Sequence, residues 1–426
     1  EKLVPGDKII AVGQGDKEPV SILHWPLPKI VNLIRGPKGT KVVLVVIPAS
    51  DPSGSSTKQV SLIREEVKLE EQAATSSVIR VKSPEGTVRR LGIITLPAFY
   101  ADMGVPFRDR SRTRNSASDV RNLLIKLKSQ KIEGLLLDLR NNGGGSLIDA
   151  VEITGLFIPS GPVVQVAERD VRIYSDPDPA TVYDGPMVVL VNRLSASASE
   201  ILAGALQDYG RAVIIGDSRT HGKGTVQTPV NLSEKENLGS VHITTAIYYR
   251  ISGKSTQPKG VIPDIIIPSP SDNLELGEDY LPNPLICPPI APVKYEASKQ
   301  FSSIIEKLKE MSLLRRSTNS EFIAYVGLIN SISNIYHNEE VPLDLASRTE
   351  LLKMEKELLE KQQKISPPDI YSQPAEKNKH KDPVLMESLE VLNDLVTIYK
   401  ESFVKIEENN KNQSWLEKIK KWLEEK

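Results

Sequence analysis

The chain has 426 residues, enough for two or three domains with a core that needs no disulfide or metal staples. Its 54 Lys and Arg stand against 55 Asp and Glu, a formal net charge of −1, so no global field draws in nucleic acid or an anionic membrane. The lone Cys287 excludes an intramolecular disulfide and has no metal-ligand spacing around it.

No run approaches the roughly 20 apolar residues of a membrane span. The chain opens at Glu1-Lys2-Leu3 with neither an initiator Met nor a leader, and so reads as a fragment of a longer protein. Residues 1–65 predict a β-rich unit with one helix. A turn at Pro5-Gly6-Asp7 precedes a strand from Lys8 to Val12. Helical spacing at Ile30, Val31, Leu33 and Ile34 marks Pro28 to Arg35, and a β-branched strand runs from Lys41 to Ile47. Ser53-Gly54-Ser55-Ser56 fits a hairpin tip before the strand Gln59 to Ile63. This order of elements, with Pro5-Gly6-Asp7-Lys8-Ile9 and Ile34-Arg35-Gly36, resembles a PDZ domain. Such domains add a peptide C-terminus as a strand beside a glycine-containing loop. In that family the carboxylate-binding loop precedes the Pro-Gly-Asp turn, so this PDZ unit is expected to be partial.

After a charged link, Arg64 to Glu71, the pattern predicts a strand at Leu91–Leu96 and a solvated basic loop at Asp109–Arg114. Next comes a helix capped by Ser118-Asp119 with Val120, Leu123, Leu124 and Leu127 on one face. Gly134 to Leu139 is a buried strand, Arg140-Asn141-Asn142-Gly143-Gly144-Gly145 a loop at its carboxyl end, and Ser146 to Phe157 a helix. Three glycines there could cradle a phosphate, point amides at an oxyanion, or form a plain flexible loop; the Lys-Ser/Thr of a P-loop is missing. A second buried strand, Met187 to Val191, leads into Ser195-Ala196-Ser197-Ala198-Ser199-Glu200 and a helix closed by Gly210. A third, Ala212 to Gly216, leads into Gly222-Lys223-Gly224-Thr225-Val226-Gln227. Alternating strands and helices imply an α/β layer arrangement with functional loops at the strand ends.

The glycine loop, the alternating serines and the Gly-Lys-Gly-Thr-Val-Gln run occur in the order and at about the spacing of the carboxy-terminal processing, or tail-specific, serine proteases. Gly155-Leu156-Phe157-Ile158-Pro159 and Gly260-Val261-Ile262-Pro263-Asp264 are also similar to that family. The resemblance runs from the PDZ remnant to about Pro268 and is strongest between 134 and 227. It implies Ser197 as nucleophile, Lys223 as base, Gln227 as the glutamine that holds the lysine, and Asp208 as an orienting acid. Ser195 and Ser199 become turn and cap residues, and the amides of Gly145 and Ala198 the oxyanion donors. Lys223 lies 26 residues after Ser197, one more than is usual in relatives, with the Ser218–His221 loop as the place for the extra residue.

The chemistry stands without the family. A serine hydroxyl must lose its proton as it attacks, so a base within hydrogen-bond reach is required. Free lysine is protonated at neutrality, with a pKa of about 10.4, so a Ser-Lys dyad needs surroundings that disfavour the charged amine. A glutamine four positions on falls on the same face of a strand and offers a neutral oxygen. The competing base is His221, with Asp208 orienting it in a Ser-Asp-His arrangement. His24, His242, His337 and His380 show no metal-ligand clustering. No metal or cofactor is called for.

Nine prolines from Pro258 to Pro292 predict an extended linker, after which the pattern is helical. Phe301, Ile304, Ile305 and Leu308 share a face, as do Leu351, Leu352, Leu358 and Leu359. Pro367 to Pro383 is a polar break before Leu385–Phe403 and an end carrying Trp415, Ile419, Trp422 and Leu423. The expected architecture is multidomain α/β + α. Residues 1–65 form a partial PDZ domain, 66–268 a protease core of the ClpP/crotonase type, 269–295 a Pro-rich linker and 296–426 a helical C-terminal domain. By resemblance the protein would act in the periplasm, or another extracytoplasmic place, on proteins with accessible apolar C-terminal tails. The helical domain would serve as a platform for an adaptor or for self-association, and no nucleic acid is involved. The non-enzyme alternative is a PDZ scaffold or chaperone-like protein that holds unfolded chains without cutting.

Overall fold

The computed structural model describes residues 3–4, 6–51, 54, 56–65, 73–83, 85–101, 113–233, 239–298, 301–336, 342–365 and 382–401. They divide into two compact units, Glu1–Glu71 and Gln72–Lys426.

In the first unit, β1 (Lys8–Gln14), β2 (Val20–Ser21), β3 (Lys41–Ile47) and β4 (Lys58–Ile63) form an antiparallel sheet in the order β2-β1-β3-β4. Helix α1 (Leu27–Ile34) lays Ile30, Leu33 and Ile34 on a core of Val12, Ile22, Val42, Leu44, Val46 and Val60. Arg64, expected within a charged link, instead closes α1. Its Nε donates to the Ile34 carbonyl at 2.9 Å and its Nη2 to the Leu33 carbonyl at 3.0 Å, satisfying carbonyls that a helix end leaves open.

The second unit is built on a six-stranded sheet. Its strands are β5 (Thr75–Lys82), β6 (Val88–Thr95), β7 (Gly134–Asp138), β10 (Met187–Val191), β11 (Val213–Gly216) and β14 (Ile265–Ile266), in the order β14-β11-β10-β7-β6-β5. All neighbours are parallel except β5 with β6. Parallel strands covered on both faces read as unbroken apolar runs, as Leu135-Leu136-Leu137 and Met187–Val191 do. The alternation of side chains then deals them to two cores. Leu135, Leu137, Met187, Val189, Val191 and Ile214 face one, and Leu136, Val188, Leu190, Val213 and Ile215 the other.

The first face is covered by α2 (Ser116–Ser129), α3 (Leu147–Gly155) and α4 (Ala198–Asp208). Beyond them lies a second, antiparallel sheet of β12 (Thr225–Asn231), β13 (Ser240–Arg250), β8 (Gly161–Ala167) and β9 (Val171–Asp176). Its residues Val164, Val166, Ala246 and Tyr248 close over the same core. Helix α4 is therefore enclosed, with every residue from Ala198 to Leu206 buried, which explains its small Ala-Gly-Ala sequence. The cap of α2 is Asn115, whose side chain accepts from the Ser118 N–H at 2.8 Å, not the Ser118-Asp119 pair. The expected basic loop lies outside the described residues up to Arg112.

The opposite face is covered by α5 (Phe301–Thr318), α6 (Ser320–Tyr336) and α8, residues 383–401, through Phe301, Leu308, Phe322, Ile329, Leu389, Leu392 and Val396. Helix α7 (Leu345–Ile365) follows α6. These helices pack on the second apolar face of the sheet and share its core, because a sheet apolar on both faces needs a layer on each. The Pro-rich stretch forms two short 3-10 turns and is fastened to the body. Ile290 and Val293 donate main-chain bonds to Gly253 and Ile251, and Asp279 pairs with Arg219. Residues 366–381, most of the polar break, and Trp415, Ile419, Trp422 and Leu423 lie outside the described residues.

Candidate active site

The parallel strands β7 and β10 are neighbours, so the loops leaving their carboxyl ends meet. The Leu139–Gly145 loop and the Ser195–Ser199 turn are stitched together. Ser195 Oγ donates to the Leu139 carbonyl at 2.8 Å, and the Ala196 N–H and Ser199 Oγ both bond the Asn142 carbonyl, at 3.0 and 2.9 Å. Asn141 and Asn192 exchange two bonds, and Asn142 holds the Leu96 carbonyl and the Gly144 N–H. Two of the three alternating serines thus work as fasteners, which leaves Ser197 between them. Its φ of +57° and ψ of −113° place a non-glycine residue in a strained conformation at the N-cap of α4, as strand-to-helix turns that project a reactive side chain do.

Both glycines of the loop that carry positive φ touch this turn or its support. A Cβ on Gly144 (φ +103°) would stand 2.8 Å from Ser197 Cβ and 2.9 Å from the Ala196 carbonyl; one on Gly145 (φ +137°) would stand 2.2 Å from the Phe99 carbonyl. Phe99, beyond the end of β6, holds the loop through its main chain, accepting from the Ser146 N–H and donating to the Gly144 carbonyl at 2.8 and 3.0 Å. Among the described residues, neither the Gly145 nor the Ala198 N–H donates to a protein acceptor. Gly144→Ala is expected to lower kcat about 100-fold through displacement of Ser197, with far-UV circular dichroism unchanged; steady-state kinetics on a peptide substrate check it.

Lys223 lies just before β12 and is half-buried. Its Nζ donates to Gln227 Oε1 at 3.2 Å, the partner expected from the four-residue spacing. No hydrogen bond joins Lys223 to the Ser197 hydroxyl. What links the two is a residue sequence reasoning passed over. Glu200, fully buried, accepts from the Ser197 N–H at 2.7 Å and the Lys223 N–H at 3.0 Å with one oxygen. Its other oxygen accepts the Gly222 N–H at 2.7 Å and the Thr220 hydroxyl at 2.6 Å. The Tyr248 hydroxyl lies between the carbonyls of the same two residues, its single proton donated to Lys223 O or shared with Ser197 O at 3.2 Å. Burial pushes the Glu200 carboxyl up to about 7 against the pull of these donors. The available signal was the third residue after the N-cap, where a capping glutamate sits.

Asp208 is not brought to this site. It ends α4, ten residues from the N-terminus of the helix and so about 15 Å along its axis. There Arg250 grips both carboxylate oxygens, at 2.6 and 3.0 Å, and Ser252 donates at 3.0 Å. His221 is held by its main chain, donating to the Ser195 carbonyl and accepting from Glu278, both at 3.0 Å. Among the described residues no cluster of acidic, His or Cys side chains could hold a metal.

Residues 90–267 match Peptidase family S41, and residues 271–397 match the C-terminal domain of tail specific protease. A tail-specific protease from Haemophilus influenzae is 40% identical over 334 residues, covering 76% of this chain and 45% of its own. A carboxy-terminal-processing protease from Bartonella bacilliformis is 32% identical over 257 residues, 59% of this chain and 53% of that one. The chain spans about half the length of these relatives. Among solved structures, a photosystem II D1 C-terminal processing protease is 31% identical, with a TM-score of 0.41 over 62% of this chain and 63% of that one. With the first match spanning the loops that meet around Ser197 and the second the helices behind the sheet, residues 90–267 belong to Peptidase family S41 and residues 271–397 to the C-terminal domain of tail specific protease.

Proposed function

We propose that the chain is a serine endopeptidase that cuts unfolded or C-terminally tagged proteins through a Ser197–Lys223 dyad. The observation that carries this reading is the single Glu200 oxygen bonded to the main chain of both residues, with the Lys223 amine on the Gln227 oxygen. Two residues 26 apart in sequence are held as one unit. Lys223 takes the Ser197 proton as Oγ attacks the scissile carbonyl carbon, and the Gly145 and Ala198 amides receive the oxyanion. Collapse expels the amine, which takes the proton back from Lys223. Lys223 then deprotonates a water that attacks the ester and returns that proton to Ser197 Oγ as the intermediate collapses, freeing the new carboxyl end and Ser197. Gln227 orients the amine with a neutral oxygen, since a carboxylate there would favour the charged form.

The first unit, read as a partial PDZ domain, delivers or gates apolar C-terminal tails as an added strand. An extracytoplasmic location, the periplasm in a bacterium, follows the family; among the described residues no helix is long and apolar enough to cross a membrane. The helices behind the sheet offer an adaptor or a second copy a surface.

The test is incubation of the wild-type chain and Ser197→Ala with an unfolded protein and with its folded form, new carboxyl ends being read by mass spectrometry. Cleavage of the unfolded form only, lost in Ser197→Ala, with a fluorophosphonate adduct mapped to Ser197, is the expected result. Retained binding without any cleavage or adduct would favour the holding-protein alternative.

A further inference from the structure

The glycine loop is anchored on one side by the serine turn. The Phe99 main chain holds its carboxyl end, and an anchor at its start comes from the far end of the chain. Arg140, the first residue of the loop after Leu139, is nearly buried, with 13% of its side chain exposed. Its guanidinium forks onto Asp138 at the end of β7, Nε to Oδ1 at 3.0 Å and Nη2 to Oδ2 at 2.8 Å. Its remaining arm, Nη1, reaches Asp382 Oδ2 at 2.7 Å. Asp382 is 4% exposed and is also the cap of α8, its Oδ1 accepting from the Val384 and Leu385 N–H groups at 3.1 and 3.0 Å. One carboxylate therefore ends a helix with one oxygen and holds the active-site loop with the other.

We propose that Asp382 is a positioning residue for catalysis: through Arg140 it fixes the loop that carries Gly144 and Gly145, so that the C-terminal helix layer sets the geometry of the oxyanion site. The proposal rests on the protease reading of Ser197 and adds a route by which the helices behind the sheet control it. Three features distinguish this contact from ordinary packing. The pair crosses 242 residues of sequence and joins the two matched segments. The Arg140 guanidinium is already forked onto Asp138, so the single bond from Nη1 to Asp382 has a fixed direction as well as a distance. And Arg140 stands beside Asn141 and Asn142, whose side chains and carbonyls hold the serine turn and the Gly144 N–H. A loop held at both ends keeps its amides aimed where charge develops; a loop freed at one end does not.

Asp382→Asn is the informative substitution, because asparagine caps a helix about as well as aspartate but loses the charge that holds Arg140. The comparison is Leu389→Val, a change in the buried face of the same helix that leaves the pair intact. Asp382→Asn is expected to lower kcat at least about tenfold on a peptide substrate with KM within twofold, and to slow fluorophosphonate labelling of Ser197 in proportion. Leu389→Val is expected to lower the Tm without that loss of kcat below the transition. Arg140→Lys, which keeps the charge but cannot fork to both carboxylates, is expected to show the same fall in kcat and serves if Asp382→Asn folds poorly. If Asp382→Asn and Arg140→Lys shift only the Tm, or raise KM alone, the contact is merely structural and the proposal is overturned. Absence of both turnover and labelling in the wild type would instead sink the protease reading itself.

Discussion

Lys223→Ala is expected to cut turnover of an unfolded substrate by roughly 10²–10⁴-fold, the contribution of a positioned base, whereas His221→Ala stays within a few-fold of wild type. The ground is geometric. The Lys223 amine meets Gln227 on the strand that follows it, and its main chain shares Glu200 with Ser197. A histidine base needs an acid to orient its ring, and Asp208, the acid in the expected order, has both oxygens occupied by Arg250 and Ser252 at the far end of α4. Gln227→Glu sharpens the test. A carboxylate beside the amine stabilises its protonated form, so the acid limb of the rate profile should move to higher pH while the fold is kept. Steady-state kinetics across pH for the three variants decide it. Activity surviving in Lys223→Ala and lost in His221→Ala would replace the dyad with a histidine mechanism.

Glu200→Gln is expected to lower kcat/KM by about 10–100-fold. A glutamine has one acceptor oxygen and an amide that must donate, so at least two of the four groups that Glu200 now satisfies would be left unpaired. Each such loss costs about 1–3 kcal/mol in a buried site. The effect falls on the alignment of Ser197 with Lys223 rather than on either group. Stability should move the other way with pH. The Glu200 carboxyl is pushed up to about 7 from 4.5, so its contribution to stability is fully present below about 4.5 and is lost as pH rises through about 7. Glutamine does not titrate, so raising the pH across that window should shift relative stability toward the variant by up to about 3 kcal/mol. Urea unfolding of both proteins at pH 5 and pH 8, beside kinetics at pH 8, checks both halves. A variant with wild-type kcat/KM would remove Glu200 from the positioning of the dyad.

Much of this molecule was legible in the chain because its signals are local. The buried strands at 134–138, 187–191 and 213–216 are continuous apolar runs, which only a strand covered on both faces requires. The serine turn and the glycine loop are spelled out by small residues that a backbone at positive φ or in close contact demands. Lys223 and Gln227 were paired by the family resemblance, with a spacing that puts them on one face of a strand, and in the structure they are in contact.

What the sequence could not yield depends on which segments meet. Strand β8 is buried over four consecutive residues, β9 has no buried residue, and β13 is exposed over its first six, so their second sheet has no clean alternation to read. The amphipathic pattern of the C-terminal helices announces an apolar face but not its partner. That partner is the back of the sheet, because Leu136, Val188, Leu190, Val213 and Ile215 had to be covered. Asp208 carried a catalytic expectation from its position in a motif, and only the fold shows Arg250 holding it. Glu200 and Asp382 look like ordinary helix-cap carboxylates in the sequence. Tertiary structure makes each a junction, because a buried carboxylate has two oxygens and the low-dielectric interior requires both to be satisfied.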